Sequence, residues 1–524
     1  MYDSFIYTKI RLILLDSVLL FAKFALFFAK CVSLYISESF IQVKTMKKLN
    51  NTTMQKPIRP ERIIQFGEGN FLRAFVDWIV FHMNRKTDFN GSVVVVQPIK
   101  KGMVGKLMEQ DCLYHVNLQG LEKGETVNSL TCIDSISRAL NPYTQFQEFL
   151  KLAEQPEIRF VISNTTEAGI AFDASCRPDD QPCASYPGKL TQLLYHRYRT
   201  FEGDRSKGLI IFPCELIFLN GHKLKEVIYQ YIELWQLGDD FKAWFEEACG
   251  VYATLVDRIV PGFPYKEIDN IKEKLQYDDN MVVQGEIFHL WVIEAPQCVA
   301  KEFPADQAGL NVLFVPSEVP YHERKVTLLN GPHSVLSPVA FLSGTDIVRD
   351  ACLHEVIGAY IRKVMYGELM ETLNLPKEEL VRFADDVWER FCNPFVDHQV
   401  TSIMLNSFPK YKTRDLPGLK TYLERKGTLP QGLVLGLAAI ITYYKGGERT
   451  DGTPIVPNDD PKILKRLNEL WATGCTRQVA QGVLGETSIW EEDLNRIPGL
   501  TESVIHYLDQ IQKQGMLATL QEIL

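Results

Sequence analysis

The chain has 524 residues, 46% hydrophobic and 23% charged, a globular composition that allows several domains and excludes a disordered or fibrous protein. A formal charge of −9 excludes nonspecific nucleic-acid binding or adhesion to an acidic bilayer, while local cation clusters remain free to take a small anion. Eleven cysteines, an odd number without a C-x-x-C pair, fit neither a disulfide framework nor a zinc ribbon, so a cytoplasmic protein is expected.

Residues 1–45 form an apolar leader unlike the rest. A membrane-spanning helix wants about 20 apolar residues, and here Asp16, Lys23 and Lys30 interrupt the run. No small-residue cleavage site follows it. A membrane anchor and a signal peptide are the alternatives to the reading expected here, a biological start at Met46 with no membrane partner.

From Arg62 onward, strands and helices alternate. Ile63-Ile64-Gln65-Phe66 reads as a short buried strand, and Gly67-Glu68-Gly69 follows at once. Phe71, Ala74, Phe75, Trp78 and Ile79 then mark one face of a helix. Val93–Val96, apolar throughout, reads as a strand covered on both faces. Arg159–Ser163 and Leu209–Phe212 continue the pattern, with helical stretches such as Lys189–Thr200 between them. This order predicts an α/β, Rossmann-type doubly wound parallel sheet over residues 58–312. After Pro316, amphipathic periodicity over 347–373, 377–392, 431–444, 460–482 and 499–524 predicts a mostly α-helical domain over residues 313–524. The boundary is expected between Pro304 and Pro320, where Pro and Gly cluster.

Two segments carry chemistry. Phe66-Gly67-Glu68-Gly69-Asn70-Phe71-Leu72-Arg73 follows a strand and opens a helix, the place where backbone N–H groups face a dinucleotide pyrophosphate. Leu72 replaces the third glycine of the usual fingerprint. No acid stands at the end of the second strand, where the chain reads Gln97-Pro98-Ile99-Lys100-Lys101. Gln97 can bond a ribose hydroxyl, and either lysine can accommodate a 2′-phosphate. NAD is the expected cofactor, with NADP left open. The second segment is Lys325-Val326-Thr327-Leu328-Leu329-Asn330-Gly331-Pro332-His333. On an ideal helix Lys325, Asn330 and His333 fall at about 0°, 140° and 80°, although Pro332 interrupts or kinks such a helix. A desolvated lysine can exchange a hydroxyl proton, an asparagine amide can donate to a developing oxyanion, and a histidine can orient the substrate oxygen. The same residue types also make an ordinary solvated face.

Other constellations carry less. Tyr422 and Lys426 satisfy Y-x-x-x-K but stand in the helical half, far from the glycine loop. His398 fits a cleft wall and a structural histidine equally well. No H-E-x-x-H and no zinc-spaced quartet occurs, so no metal is expected.

The stretches RIIQFGEGNFLRAFVDW, VVVVQPI, RFVISNTTEAGI, SYPGKL, PCELI, TLVDRIVPGFP and ERKVTLLNGPHSVLSPVAF closely resemble the polyol- and uronate-reducing mannitol dehydrogenase family, from about Met46 to the C-terminus. The resemblance implies a Rossmann-type domain, a helical domain and a metal-independent reaction in the cleft between them. It carries the family's K-x-x-x-x-N-x-x-H motif onto Lys325, Asn330 and His333 as general acid/base, oxyanion donor and substrate orienter. It carries the glycine motif onto Gly67, Gly69, Phe71 and Arg73, and V-D-R-I onto Val256–Ile259, with Asp257 beside the substrate or in a proton relay. A P-K-F stretch maps to Lys410 as a substrate contact, and nearby Arg414 is the expected partner of a substrate carboxylate. One departure stands out. Polyol-oxidising members carry C-D-N where this chain has Cys214-Glu215-Leu216, and Leu216 cannot supply a second oxyanion donor; Asn220 is a distant substitute. The implied activity is reversible NAD(H)-dependent reduction of a small keto-uronate, D-tagaturonate to D-altronate. Fructuronate reduction and mannitol-type dehydrogenation are the alternatives, and a noncatalytic or membrane-tethered dinucleotide-binding protein is a third reading.

Overall fold

The computed structural model describes residues 46–524 apart from Glu167, together with Ala25 and Lys30, so the leader otherwise lies outside the described residues. Two compact units make up the chain: residues 1–49 with 269–278, and residues 50–268 with 279–524. In the first, Lys47–Lys48 pairs in parallel with Tyr277–Asp278, and Lys272 Nζ donates to Asp278 Oδ1 at 2.6 Å. The second holds the elements described below. Among the described residues no helix is long and apolar enough to cross a membrane.

Strands β1 (Glu61–Phe66) and β2 (Ser92–Val96) precede a hairpin of β3 (Tyr114–Glu122) and β4 (Glu125–Ile133). Then come β5 (Ile136–Leu140), β6 (Phe160–Ser163), β7 (Ile210–Pro213), β8 (Gly250–Val251), β9 (Thr254–Asp257), β10 (Val283–Glu286), β11 (Leu290–Glu294) and β12 (Val312–Val315). The main sheet has six strands in the order β5-β2-β1-β6-β7-β8, all parallel. Its strands are apolar on both faces because each face has its own core. Val93, Val95, Ile63, Phe160 and Ile162 point into one, while Val94, Val96, Ile64, Phe66 and Val161 point into the other. The first turn of the expected helix breaks at Phe75, which separates α1 (Asn70–Ala74) from α2 (Val76–Lys86). Helices α3 (Tyr186–Thr200) and α4 (Asn220–Leu234) connect later strands.

Two small sheets were not legible as such in the apolar pattern. β10 pairs in parallel with β3, which pairs antiparallel with β4 across a turn at Lys123 and Gly124, both at positive φ. β9 pairs antiparallel with β11, which pairs in parallel with β12. Strand β12 occupies the stretch in which the domain boundary is expected.

The following half is helical. It includes α5 (Val319–Lys325), α6 (Gly331–Leu342), α7 (Lys377–Phe391), α8 (Ser407–Arg414) and α9 (Gln431–Tyr443). α9 is buried nearly throughout and packs on α6 within a single core. Three long amphipathic runs are divided. His354 caps a new helix start, and Gly474 and Gly515, at φ +67° and +84°, each end a run with a backbone that glycine adopts without strain.

Phe303 joins the main sheet to the small sheet that carries β9. Its buried ring lies 5.3 Å from Phe160, 5.6 Å from Phe212 and 5.6 Å from Trp291 of β11. Phe303→Ala is expected to cost about 3–5 kcal/mol in chemical denaturation. A loss below about 1 kcal/mol would show that the cluster collapses around the cavity and does not depend on this ring.

Candidate active site

The glycine loop sits where the main sheet changes direction, between β1 and β6. Gly67 has φ +127°, and a Cβ there would lie 2.9 Å from Leu72 Cδ1 and 3.0 Å from the Asn164 carbonyl oxygen. Only glycine fits. Beside Gly69 there is open space, and no side chain caps the N-terminus of α1, so this turn leaves room for a ligand against its backbone. Phe71 stacks on Phe75 at 4.9 Å and lines the adjoining cavity.

Other residues read as cofactor contacts have structural duties. The Phe66 ring is fully buried against Phe149 and Tyr186, so only its backbone belongs to the loop. Arg73, 2% exposed, donates to the Glu68 and Met281 carbonyls and to Asn70 Oδ1. It braces the loop from behind, because a buried guanidinium must find acceptors. Gln97 donates to the Ile99 and Lys100 carbonyls at 2.8 and 3.2 Å, closing the turn after β2. The buried Glu68 carboxylate packs beside Gln97 against Gly102 and accepts the Met103 N–H at 3.0 Å. An acidic group thus stands near the end of the second strand in space, although it belongs to the glycine loop in sequence.

Lys325 ends α5, and its Nζ donates to the Val256 carbonyl at 3.0 Å and lies 3.8 Å from Asp257 Oδ1. Burial pushes the Lys325 ammonium below its ordinary pKa, and Asp257 opposes that shift. Burial raises the Asp257 carboxyl, but Arg390 and Lys325 outweigh it and hold the group below the usual carboxylate range. After Lys325 the chain forms a π turn, Val326–Asn330, and α6 begins with Pro332 in its first turn. Proline has no N–H to give, and its ring crowds the carbonyl four residues back, so the wider turn relieves a clash. At about 4.4 residues per π turn, Asn330 falls roughly 50° from Lys325 and His333 almost in line with it. The wider turn therefore gathers the trio more closely than an ideal α-helix would.

The Asn330 amide has no hydrogen-bond partner among the described residues, and neither has the buried His333 Nε2. The His333 ring lies 4.1 Å from Phe391 and 5.4 Å from His398. Burial, then His398, Arg390 and Arg414, hold its pKa well below the usual value, so the imidazole is neutral. Arg414 on α8 is half-buried and gives one N–H to Ser334 Oγ at 3.3 Å; its other donors have no partner among the described residues. Lys410 donates to the Ile403 carbonyl at 2.7 Å.

A cavity of ≈ 660 Å³ runs from Phe71 past Asn164, Thr166 and Leu216 to Asp257 and Lys325. Asn330 at the end of the π turn, His333 on α6, and Lys410 and Arg414 on α8 stand outside that lining. Leu216, 65% exposed, presents only carbon to the cavity. Asn220 is no substitute donor: its amide is committed to the Pro213, Glu215 and Thr254 carbonyls. Sequence reasoning passed over three contributors. Glu215 accepts from Thr165 and Ser163 and fastens one cavity wall. Arg390 and Glu286 flank Asp257, brought there from 133 and 29 positions away by the fold, and no local pattern announces them.

A parallel sheet in this order, with a glycine turn at its switch point and a largely desolvated lysine lining the cavity, defines a Rossmann-type dinucleotide-dependent oxidoreductase. Residues 61–307 match the mannitol dehydrogenase Rossmann domain and residues 319–512 the mannitol dehydrogenase C-terminal domain, so the chain belongs to the mannitol dehydrogenase family. It is 79% identical over 479 residues to an altronate oxidoreductase of Phocaeicola vulgatus, covering 91% of this chain and 100% of that protein. An altronate oxidoreductase of Bacillus subtilis is 45% identical over 480 residues, 91% of this chain and 98% of that protein. Among solved structures, Pseudomonas fluorescens mannitol 2-dehydrogenase in ternary complex with NAD and D-mannitol aligns with TM-score 0.60 and 20% identity, covering 91% of this chain and 99% of that one. A substrate-free D-sorbitol dehydrogenase aligns with TM-score 0.73 and 20% identity, covering 90% and 100%. These two establish a shared fold.

Gly67→Ala is expected to weaken NADH binding roughly tenfold or more in a fluorescence titration, from about 1–3 kcal/mol of backbone strain. Unchanged binding would mean that the loop shifts without cost and that the turn does not form the dinucleotide seat.

Proposed function

We propose that this chain is a cytoplasmic NAD(H)-dependent oxidoreductase that reversibly reduces D-tagaturonate to D-altronate, with Lys325 as the proton-exchanging group. The observation that carries the reading is a desolvated lysine lining the same cavity as Phe71, two residues after the glycine turn. The full-length similarity to altronate oxidoreductases supports the substrate, and the neighbour solved with NAD supports the cofactor. The residues present fit a dinucleotide: Gly67 admits no side chain, Gly69 opens on free space, and Phe71 leads from the turn into the cavity. The Glu68 carboxylate beside Gln97 favours NAD over NADP, because a 2′-phosphate would meet an acidic group there.

When bound, the cofactor supplies the hydride in reduction and accepts it in oxidation. The protein's own residues handle the oxygen. The Asn330 amide, unpartnered among the described residues, donates to the carbonyl oxygen as negative charge builds on it. Neutral His333 presents Nε2 to the same substrate and orients it. Lys325 gives its ammonium proton to the alkoxide in reduction and takes the hydroxyl proton in oxidation. Arg414, with free N–H donors, is the cation available for the substrate carboxylate, and Lys410 is a weaker contact. Because reduction needs the lysine charged, its rate is full below the Lys325 pKa and falls as pH rises through it; oxidation follows the opposite course.

Purified protein is expected to consume NADH with D-tagaturonate, followed at the nicotinamide absorbance band. Consumption with D-fructuronate or fructose but not D-tagaturonate would replace this substrate with a sister one. Lys325→Ala should abolish turnover and spare NADH binding, and Asn330→Ala should cost about 10²–10³ in kcat, since Leu216 offers no second donor. A near-normal rate in Asn330→Ala would assign the oxyanion to another group. Arg414→Met should raise KM for tagaturonate far more than for a neutral ketose; equal changes would place Arg414 in structure and not in recognition.

A further inference from the structure

Arg390 and Glu286, to which the roles above give no part, form an ion cluster with Asp257 beside Lys325. All three side chains are withdrawn from solvent, with exposures of 8%, 4% and 5%. Arg390 of α7 grips both carboxylates. Its Nη1 and Nη2 donate to Asp257 Oδ2 and Oδ1 at 3.0 and 3.1 Å, and its Nε and Nη2 donate to Glu286 Oε2 and Oε1 at 3.0 and 2.9 Å. The Phe288 ring stacks on the guanidinium at 4.4 Å and closes a third side. Glu286 also accepts the Ile259 N–H at 2.6 Å, which ties the turn after β9 to the same cluster. A buried ion triad of this kind is a poor device for stability alone, since apolar side chains of similar volume serve as well. What it does secure is geometry.

The geometry matters for Lys325. Both Asp257 oxygens are occupied by Arg390, and Lys325 Nζ forms with the nearer one an ion pair of 3.8 Å, longer than a hydrogen bond. The ammonium makes its short bond to a neutral carbonyl, that of Val256. We propose that Arg390 is a positioning residue which, by holding Asp257 and Glu286 in a fork, keeps Asp257 from closing onto Lys325 and so leaves the lysine proton available to the substrate. This rests on Lys325 being the proton-exchanging group. The charged and titratable groups around Lys325 are Asp257, Glu286 and Arg390 of the cluster, together with Glu318 and His322 of its own helical segment. Asp257 and Glu286 favour the charged lysine, and Arg390 disfavours it. On α7, Asp386 also feels the Arg390 charge, and on α6 so does His333.

The clamp is tested by the pH dependence of kcat for keto-acid reduction in the full-length enzyme, with NADH affinity measured in parallel by fluorescence. Arg390→Met frees Asp257 to pair with Lys325 and should move the alkaline limb upward by about one pH unit while kcat falls. Arg390→Lys should shift it less, because an ammonium cannot fork two carboxylates but keeps the charge. Glu286→Gln removes a negative neighbour and should move the limb downward. Opposite shifts, with NADH affinity unchanged, support the proposal. Equal losses of kcat at every pH with fixed limbs, or shifts of one sign in all variants, overturn it. Should Arg390→Met fail to fold, Arg390→Lys and Glu286→Gln still give the opposed pair. Turnover surviving in Lys325→Ala would instead refute the assignment of the lysine itself, whatever the clamp variants do.

Discussion

A lysine ammonium taken out of water must be given negative potential nearby, yet a carboxylate in full contact would hold the proton that an acid/base lysine has to release. Lys325 meets both demands with Asp257 at 3.8 Å and the Val256 carbonyl at 3.0 Å. Both partners come from the end of β9, so everything that fixes β9 also fixes the lysine's environment. β9 is held by β11, and Trp291 of β11 packs with Phe303 and Phe212 against the main sheet. Aromatic packing between the two sheets thus supports the strand that carries both Lys325 partners.

The π turn between α5 and α6 works on the same scale. A regular helix would spread Lys325, Asn330 and His333 over a broad arc. Five residues of wider winding bring them towards one line, and Pro332 makes that winding the favourable one. The spacing of four residues between lysine and asparagine, then two before histidine, is adapted to a helix that changes pitch in the middle.

Polar residues near the glycine turn show how the same chemistry serves two ends. Arg73, Gln97 and Asn220 are all capable ligand donors by type, and each directs its N–H groups at backbone carbonyls inside the fold. Burial compels this, since an unmet donor in the interior costs more than an ordinary hydrogen bond returns. His333 is the contrast: its Nε2 is buried and lacks a partner among the described residues.

The parallel sheet, the glycine turn and the lysine–asparagine–histidine segment were legible in the sequence because each is local. Unbroken Val and Ile runs report a sheet buried on both faces, and a glycine between a strand and a helix reports a turn that no other residue can make. The small sheets were less legible. β3 and β4 are long but only partly apolar, and β12 is four residues long and becomes sheet by pairing with β11. The Arg390 clamp was not legible at all, since Asp257, Glu286 and Arg390 carry no pattern and meet only when α7 is laid across the ends of β9 and β10. Backbone periodicity and steric need act over a few residues and are written in the chain. Charge pairing acts through space at about 3 Å, and only the folded structure decides which charges come that close.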